Sequence, residues 1–277
     1  MKQFEKNIHS QFGEDGILEE LFRLIGVRWS TCIEFGAWDG LHLSNTLHLW
    51  RSLGWKALLI EGDPKKYRDL LKSTAGHPQA HSLNRMVTPS GAGRIENLIE
   101  ESGFPKDIDL LSIDIDGDDI YILESLKTIR PRVIVVEYNP TIPAHLDVRQ
   151  SCGEYFGASA LALHKVARTK GYRLAHATQV NLFFVHESEF AKLGFPEPEL
   201  RDVVPRDHVT YLITSYNGTA FLSQVPAYFP ITSIEDPTLD GSVKPIPLGP
   251  TPVRFPELAK EGDSLVKAEV KIKKEYR

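Results

Sequence analysis

Cysteine is scarce in this chain. Its 277 residues include two cysteines, Cys32 and Cys152, so a scaffold held together by several disulfides is excluded. The chain also lacks an apolar run of about 18 residues, which a membrane-spanning helix would need. The charged stretch over residues 1–15 lacks the apolar core of a signal peptide. We therefore expect a globular protein of the cytoplasm with no membrane partner.

Positive charge is not in excess either. Lysine and arginine number 32 and aspartate and glutamate 37, which gives a formal net charge of −5. A general nucleic-acid binder needs a cationic surface that displaces counterions, so we expect no nucleic-acid partner. Hydrophobic residues make up 42% of the chain. This composition is that of a globular protein and excludes disorder throughout.

Short apolar runs alternate with helical periodicity over most of the chain. The clearest runs are KALLI over residues 56–60, IDLLSI over 108–113 and RVIVV over 132–136. Near-continuous apolar strands are typical of parallel sheets covered on both faces. Their alternation with helices predicts an α/β fold. Two further runs, over 172–177 and 180–185, flank a short turn and predict an antiparallel pair at one edge.

Proline becomes frequent near the end of the chain, at Pro226, Pro230, Pro237, Pro245, Pro247, Pro250, Pro252 and Pro256. Prolines at this density remove backbone donors and block helices. We therefore expect one domain over residues 1–224 and a proline-rich C-terminal arm over 225–277. The arm could lie on the domain or on a second copy of the chain, which would make a homodimer. A disordered tail is the alternative.

Acidic residues follow the ends of the predicted strands. They form clusters at 34–40, 61–63, 114–119 and 137–139. In open α/β sheets the carboxyl ends of the strands form the crevice where ligands bind. We therefore expect the four clusters to converge along one edge of the sheet.

The first two clusters favour a nucleoside ligand. EFGAWDG over residues 34–40 contains Gly36 and Gly40, whose small size lets a backbone approach a ligand. The turn lacks the G-x-G-x-x-G spacing, and Glu34 would repel phosphates. Glu61 ends the next strand, where an acidic side chain commonly accepts from ribose hydroxyls. S-adenosylmethionine, a nucleoside without a phosphate chain, fits; a ligand-free turn and a helix-terminal charge are the alternatives.

Five motifs stand in a fixed order along residues 10–185: IEFGAWDG (33–40), SNT (44–46), LLIEGDP (58–64), LSIDIDGDD (111–119) and RPRVIVVEYN (130–139). Together they resemble the FkbM-type branch of the S-adenosylmethionine-dependent methyltransferases. The resemblance implies a Rossmann-like class I methyltransferase sheet of seven strands, mostly parallel with an antiparallel edge. Many relatives carry Asp-x-Gly-Ala-Asn at the first motif and Asp-x-Glu-Gly at the fourth. These departures bear on the substrate more than on the cofactor.

The resemblance also implies which residues bind the cofactor. Glu34 and Gly36 would approach its methionine part, with Gly40 in the same turn. Asn45 and Thr46 would begin a helix over residues 44–53 and bind the carboxylate through side chains and free N–H groups. The remaining candidates are Glu61 for the ribose, Gly62 and Asp63 beside the adenine, Asn84 or Arg85 at its edge, Gln11 in the SQFGED opening over 10–15, and Asp114 after the fourth strand.

Polar side chains after the fourth and fifth strands suggest a metal. Asp114, Asp116, Glu137 and Asn139 would meet at neighbouring strand ends, where carboxylates repel one another unless a cation or protons neutralise them. Oxygen ligands suit Mg²⁺ or Ca²⁺, with Mn²⁺ possible. The layout is similar to that of metal-dependent O-methyltransferases of the catechol and macrolide-sugar types. The alternative is that Asp118 and Asp119, and Asp116 with them, cap the following helix, and that the acidic residues contact the substrate.

Transfer of a methyl group from a sulfonium to a hydroxyl requires removal of a proton. His145, in the loop after the fifth strand, is the candidate general base, and Asp114 is the second catalytic candidate. Tyr138, Arg149 and Tyr155 are candidate substrate contacts. We expect an S-adenosylmethionine-dependent O-methyltransferase, assisted by a divalent metal, that acts on a hydroxyl of a sugar or related small molecule.

Two other functions stay open at the level of the sequence. Asp114 and Asp116 form a D-x-D pair that could carry a metal–nucleotide-sugar complex in a transferase, or serve a metal-dependent hydrolase. Glu34 and Glu61 would oppose the diphosphate of such a substrate. The third interpretation is a non-catalytic scaffold that binds the cofactor and recruits a partner through its proline-rich arm.

Overall fold

The computed structural model describes residues 1–155, 157–214, 219–222 and 253–254. The helices are α1 (Glu14–Ile25), α2 (Pro64–Thr74), α3 (Ile95–Ser102), α4 (Asp119–Ser125), α5 (Ala160–Thr169), α6 (Glu187–Phe190) and α7 (Leu200–Val203). The strands are β1 (Thr31–Phe35), β2 (Lys56–Glu61), β3 (Ala80–Asn84), β4 (Leu110–Ile113), β5 (Val133–Glu137), β6 (Tyr172–Ala177), β7 (Asn181–His186), β8 (Leu212–Thr214), β9 (Thr219–Leu222) and β10 (Val253–Arg254). No helix of this described part is long and apolar enough to cross a membrane.

Seven strands form one sheet in the order β3-β2-β1-β4-β5-β7-β6. The strands β1 to β5 pair in parallel, and β7 lies antiparallel between β5 and β6. The central strands β1, β4 and β5 are buried on both faces, as their apolar sequences require. The predicted fold class, a mostly parallel sheet with an antiparallel edge, is confirmed.

The chain divides into two compact units, Met1–Arg206 and Asp207–Arg277. The first unit contains the seven-stranded sheet. In the second, the described strands form an antiparallel sheet in the order β10-β9-β8. The predicted boundary at residues 224 and 225 and most of the predicted proline-rich arm lie outside the described residues, so this division of the chain stays a prediction.

Apolar side chains alternate between the two faces of the sheet. One face carries Cys32 of β1 and Leu110 of β4 and packs against α1; we call it the α1 face. The opposite face carries Ile33 and Leu111 and packs against α3, α4 and α5. Successive side chains of a strand point to opposite faces of the sheet. A side chain at the end of a strand therefore lies on the same face as the side chain two residues before it.

The helix predicted over residues 44–53 is wrong in its first half. A π-helical turn spans only His48–Ser52. The preceding residues Ser44, Asn45 and Thr46 instead direct donors to the carboxylate of Glu34. A buried charge that needs donors outweighs the helical propensity of this segment.

A buried ionic network holds the amino ends of the strands. Arg132, just before β5, donates through Nη1 to Oδ1 of Asp109 at 2.8 Å and through Nη2 to Oε2 of Glu189 at 3.2 Å. The other oxygen of Asp109 accepts from the backbone N–H groups of Trp29 and Ser30, at 2.7 Å each. This network therefore ties β4, β5, α6 and the α1–β1 connection together.

Replacing Arg132 by methionine should lower the free energy of unfolding by about 3 kcal/mol, because Asp109 and Glu189 would keep buried charges without their cation. Urea unfolding followed by circular dichroism measures the loss. The matched control is Lys72→Met, which breaks an exposed pair with Asp69 and should change stability far less. Equal losses in the two variants would contradict a stabilising role for the network.

Candidate active site

A row of polar side chains lies at the carboxyl ends of the central strands, on the α1 face. Glu34, Ser112 and Glu137 each follow by two residues an apolar side chain that packs on this face, and Asn181 precedes one. Asp114 directly follows β4 in the same alternation. We call these five residues the polar row. The convergence predicted from the sequence thus places acidic side chains of β1, β4 and β5 at one edge.

Glu34 organises the segment that follows β1. Its Oε1 accepts from the backbone N–H of Asn45 at 2.8 Å, and its Oε2 accepts from the hydroxyls of Ser44 and Thr46 at 2.7 Å each. Burial raises the pKa of Glu34, and these bonds oppose that rise. The donors predicted for the cofactor's carboxylate are therefore engaged by Glu34. Cofactor binding by Asn45 and Thr46 stays a prediction.

Gly36 brings the turn after β1 into contact with the turn after β4. Its φ is +63°, and a Cβ there would collide with the carbonyl oxygen of Asp114. Gly40 also has a left-handed backbone, with φ +74°, but a Cβ there would meet the side chain of Leu70. The sequence predicts a close approach of the backbone to a ligand at these glycines. At Gly36 the backbone instead closely approaches the turn over residues 114–119, which we call the acidic turn.

Glu61 ends β2 and is 6% exposed. Its Oε2 accepts from the N–H of Trp38 at 2.8 Å, and its Oε1 accepts from the N–H of Asp63 at 2.7 Å. A carboxylate offers about four acceptor positions, so each oxygen keeps one. Asn84 donates through Nδ2 to the carbonyl of Glu61 at 2.7 Å, which ties the end of β3 to the same place. Two neighbouring hydroxyls, such as those of a ribose, match this capacity.

The other residues predicted around the adenine differ in what they contact. Gly62 lies under Met86, whose side chain is 66% exposed. The carboxylate of Asp63 caps α2, accepting from the N–H of Lys65 at 2.6 Å. The guanidinium of Arg85 pairs with Glu101 on α3. Sequence reasoning missed Met86, since a lone methionine after a weak strand carries no motif.

Asp114, Asp116 and Glu137 form an acidic cluster, in which one carboxylate oxygen of each lies within 4.8 Å of the others. A hydrogen bond joins Asp114 to Glu137, and burial, followed by the neighbouring carboxylates, raises the pKa of both. Asp116 is exposed. Carboxylates at this spacing need neutralisation by protons or by a cation, and an all-oxygen set fits a hard divalent ion.

Four further candidates are not among the three residues of the acidic cluster. Asn139 accepts through Oδ1 from the N–H and the hydroxyl of Thr141, at 2.9 and 2.6 Å. His145 is exposed in the loop between β5 and α5, and Gln11 is exposed before α1. Tyr138 is buried, and its hydroxyl donates to the carbonyl of Thr178 at 2.9 Å. Metal binding by Asn139, catalysis by His145 and cofactor binding by Gln11 stay predictions.

A loop that no sequence motif marks covers the acidic turn. It is closed by an antiparallel bridge between Arg149 and Ala158. Gln150 donates through Nε2 to Oδ1 of Asp118 at 2.9 Å, so Asp118 holds this loop. The hydroxyl of Tyr155 hydrogen-bonds Asp116, and Tyr155 is 71% exposed. The loop therefore places an aromatic side chain beside the acidic cluster.

Asp118 and Asp119 stand at the start of α4, where the sequence predicts that they cap the helix. Asp118 begins the helix without a capping bond from its side chain. Asp119 accepts instead from the N–H groups of Ile115 at 2.8 Å and Gly117 at 2.9 Å. The side chain of Asp119 thus shapes the turn that carries Asp116, whose backbone is left-handed with φ +58°, and the side chain of Asp118 binds the loop that contains Gln150.

Replacing Gly36 by alanine should destabilise the protein more than Gly54→Ala. Both glycines have left-handed backbones, with φ +63° and +72°, but nothing lies within 4 Å of a Cβ at Gly54. Gly54→Ala should cost about 1–2 kcal/mol for the backbone alone, whereas Gly36→Ala adds the collision with Asp114. Differential scanning calorimetry compares the two, and equal losses would show that the two turns do not need their close approach.

Residues 91–174 match the model of the family described as Methyltransferase FkbM domain, and this range contains the whole acidic cluster. No curated protein matches the chain. Similar solved structures include the CcbJ methyltransferase from Streptomyces caelestis, at 12% identity over 64% of this chain and 90% of that chain with a TM-score of 0.42. A SAM-dependent methyltransferase from Aquifex aeolicus gives 12% identity, 66% and 94% coverage and a TM-score of 0.39.

The mitomycin 7-O-methyltransferase MmcR gives 16% identity and a TM-score of 0.37 over 63% of this chain. The chain covers 54% of that protein's length. The family match confirms, over residues 91–174, the resemblance predicted from the motifs, and it supports the expected enzyme class. Residues 91–174 are therefore similar to the methyltransferase domain of the FkbM type.

Proposed function

We propose that this chain is an S-adenosylmethionine-dependent O-methyltransferase, assisted by a divalent metal, that acts on a hydroxyl of a sugar or related small molecule. The observation that carries the proposal is the arrangement of acceptors along one sheet edge. Glu61 on β2 keeps two acceptor positions, and the acidic cluster lies beyond β1, on β4 and β5. Strands are about 4.8 Å apart, so a nucleoside fits between these two places.

The methyl donor would lie along the ends of β2 and β1. Glu61 would accept from both ribose hydroxyls, and Gly62 and the exposed Met86 would lie beside the adenine. Glu34 shapes the turn that faces the methionine part, because it holds residues 44–46 in place. The buried acids here disfavour a diphosphate, since carboxylates and phosphates repel each other.

The acidic cluster fits a divalent ion. Asp114, Asp116 and Glu137 would hold it, with Asn139 as the further predicted ligand, and the oxygen set suits Mg²⁺, with Mn²⁺ or Ca²⁺ as alternatives. When bound, such an ion would lower the pKa of a hydroxyl acceptor and orient it.

The reaction is an in-line displacement. The acceptor oxygen bonds to the methyl carbon while the carbon–sulfur bond breaks, and the hydroxyl proton leaves to a base. His145 is our candidate for that base, with Asp114 as the second. Tyr155 offers the acceptor an apolar ring with a polar tip beside Asp116. A sugar-like molecule presents such a surface with hydroxyls and apolar faces.

The role of the C-terminal arm and the location of the protein in the cell are proposals as well. We infer a small-molecule acceptor in the cytoplasm and a homodimer formed through the arm over 225–277. Analytical ultracentrifugation would test the homodimer by comparing the mass of the full chain in solution with that of a chain ending at residue 224. The full chain should sediment as a dimer and the shortened chain as a monomer.

Glu61→Gln should weaken binding of S-adenosylhomocysteine at least tenfold, because an amide N–H₂ would replace one ribose acceptor and the charge would be lost. Isothermal titration calorimetry measures the affinity. Asp69→Asn, an exposed acid on α2, is the matched control and should bind like the wild type. Failure of the wild type to bind would overturn the donor; an unchanged Glu61→Gln affinity would overturn the ribose contact.

The wild type should bind Mn²⁺, used here as a paramagnetic probe for Mg²⁺, and Asp116→Asn should weaken this binding at least tenfold. Asn tolerates the left-handed backbone at this position, so the fold should persist. Electron paramagnetic resonance of free Mn²⁺ reports the affinity. Asp147→Asn removes an exposed acid that pairs with Lys165 and should have no effect. Equal affinities in all three proteins would contradict the metal assignment.

A further inference from the structure

Gln150 is a buried amide at the start of the loop from Arg149 to Ala158. It is 4% exposed, whereas residues 151–155 of the same loop are exposed. Its side-chain nitrogen donates to Oδ1 of Asp118 at 2.9 Å and to the carbonyl of Glu154. Its side-chain oxygen accepts from the N–H of Gly157 at 2.6 Å. Both polar atoms of this side chain thus bind the loop, and the nitrogen also binds the acidic turn.

Asp118 accepts further hydrogen bonds from the same loop. The N–H of Gly153 lies 2.9 Å from its Oδ1 and 3.1 Å from its Oδ2, and Sγ of Cys152 lies 3.5 Å from Oδ2. Hydrogen bonds to a charged carboxylate are stronger than those between neutral groups, so Asp118 fixes the loop on the acidic turn. We call Asp118 and Gln150 the loop clamp.

The loop and the acidic turn also pack backbone against backbone. A Cβ at Gly117 would lie 2.7 Å from the carbonyl oxygen of Glu154 and 3.2 Å from Nε2 of Gln150, so this contact requires glycine. At the other end of the loop, the N–H of Asn139 donates to the carbonyl of Ala158 at 2.8 Å. The loop is therefore fixed to the turn after β4 and to the segment after β5, the two places that supply the acidic cluster.

Asp116 belongs to the turn that these contacts fix. Its backbone is left-handed, with φ +58°, and such a conformation persists where the surrounding structure determines it. Asp119 fixes the turn from within by accepting from the N–H groups of Ile115 and Gly117. The loop clamp fixes it from outside. The direction of the exposed carboxylate of Asp116 therefore depends on both.

We propose that Gln150 and Asp118 are positioning residues that hold the loop on the acidic turn and so orient the carboxylate of Asp116 for the divalent ion. This role rests on the proposed function, because the ion is part of it. Neither residue belongs to the acidic cluster, so each acts through Asp116. Groups that orient metal ligands in this way commonly contribute about 10- to 100-fold to the affinity of a metal site. Since coupling is reciprocal, the bound ion also stabilises the closed loop.

The first variant is Gln150→Met, which keeps a side chain of similar length but has no N–H to donate. Its affinity for Mn²⁺, measured by electron paramagnetic resonance of the free ion, should be at least tenfold weaker than that of the wild type. Its affinity for S-adenosylhomocysteine, measured by isothermal titration calorimetry, should be unchanged. The loop clamp lies after β4, whereas the proposed nucleoside site lies along the ends of β1 and β2.

Asp118→Asn tests the same clamp from its other partner, because an amide N–H₂ replaces one of the two oxygens that accept from the loop. The same pattern of affinities is expected. Hydrogen exchange followed by mass spectrometry reads the loop directly. Peptides over residues 150–155 should exchange faster in both variants than in the wild type, and Mg²⁺ should slow their exchange in the wild type.

Glu124→Gln is the matched control. It removes an exposed carboxylate that lies 3.5 Å from Nη1 of Arg149, at the start of the same loop, and it leaves both partners of the loop clamp in place. This variant should equal the wild type in both affinities and in hydrogen exchange.

The outcomes separate the positioning role from the proposed function. If the wild type binds no Mn²⁺, the metal-assisted function is wrong, and the positioning role is wrong with it. If the wild type binds Mn²⁺ and both variants bind it equally well, only the positioning role is wrong. An equal loss of affinity for Mn²⁺ and S-adenosylhomocysteine would assign the effect to the fold and would also overturn the role. If one variant fails to fold, as judged by circular dichroism, the other decides.

Discussion

The carboxylate of Glu34 is buried at the end of the central strand β1, and it remains there because Ser44, Asn45 and Thr46 donate hydrogen bonds to it. A charge in such a place is unfavourable unless hydrogen bonds replace its water. The segment over residues 44–46 therefore packs against the end of β1, where its donors reach Glu34. The turn between them then brings Gly36 against the carbonyl of Asp114, and the turns after β1 and β4 become one surface. The candidate site is built on this surface.

The acids of the site divide into two kinds according to their hydrogen bonds. Glu34, Asp119 and Glu61 accept hydrogen bonds from the chain on both oxygens and shape the turns around them. The acidic cluster of Asp114, Asp116 and Glu137 instead gathers carboxylates at close range. Burial and mutual repulsion make the charged form of this cluster unfavourable in the free protein. Binding of a cation would relieve that cost, which supports the proposed function.

Several site residues could be predicted and others could not, for one physical reason. Glu61 and the acidic residues after β4 and β5 follow apolar runs, and parallel strands place their ends together whatever the loops do. Asn139 and Arg85 lie just beyond strands too, yet their polar atoms engage Thr141 and Glu101. The hydrogen-bond partner of a polar atom depends on how loops from distant parts of the chain fold together. The hydrophobic periodicity of the sequence contains no information about that partner.

The sequence by itself determined the fold class, the antiparallel edge and the gathering of acids at one rim, because these follow from apolar periodicity, which is a local property of the chain. Only the tertiary structure decided that residues 44–46 donate hydrogen bonds to Glu34 instead of forming a helix, and that the loop from Arg149 to Ala158 brings Tyr155 to Asp116. Each of these depends on contacts between segments far apart in sequence, where the cost of burying a polar group selects one arrangement among several that the local sequence allows.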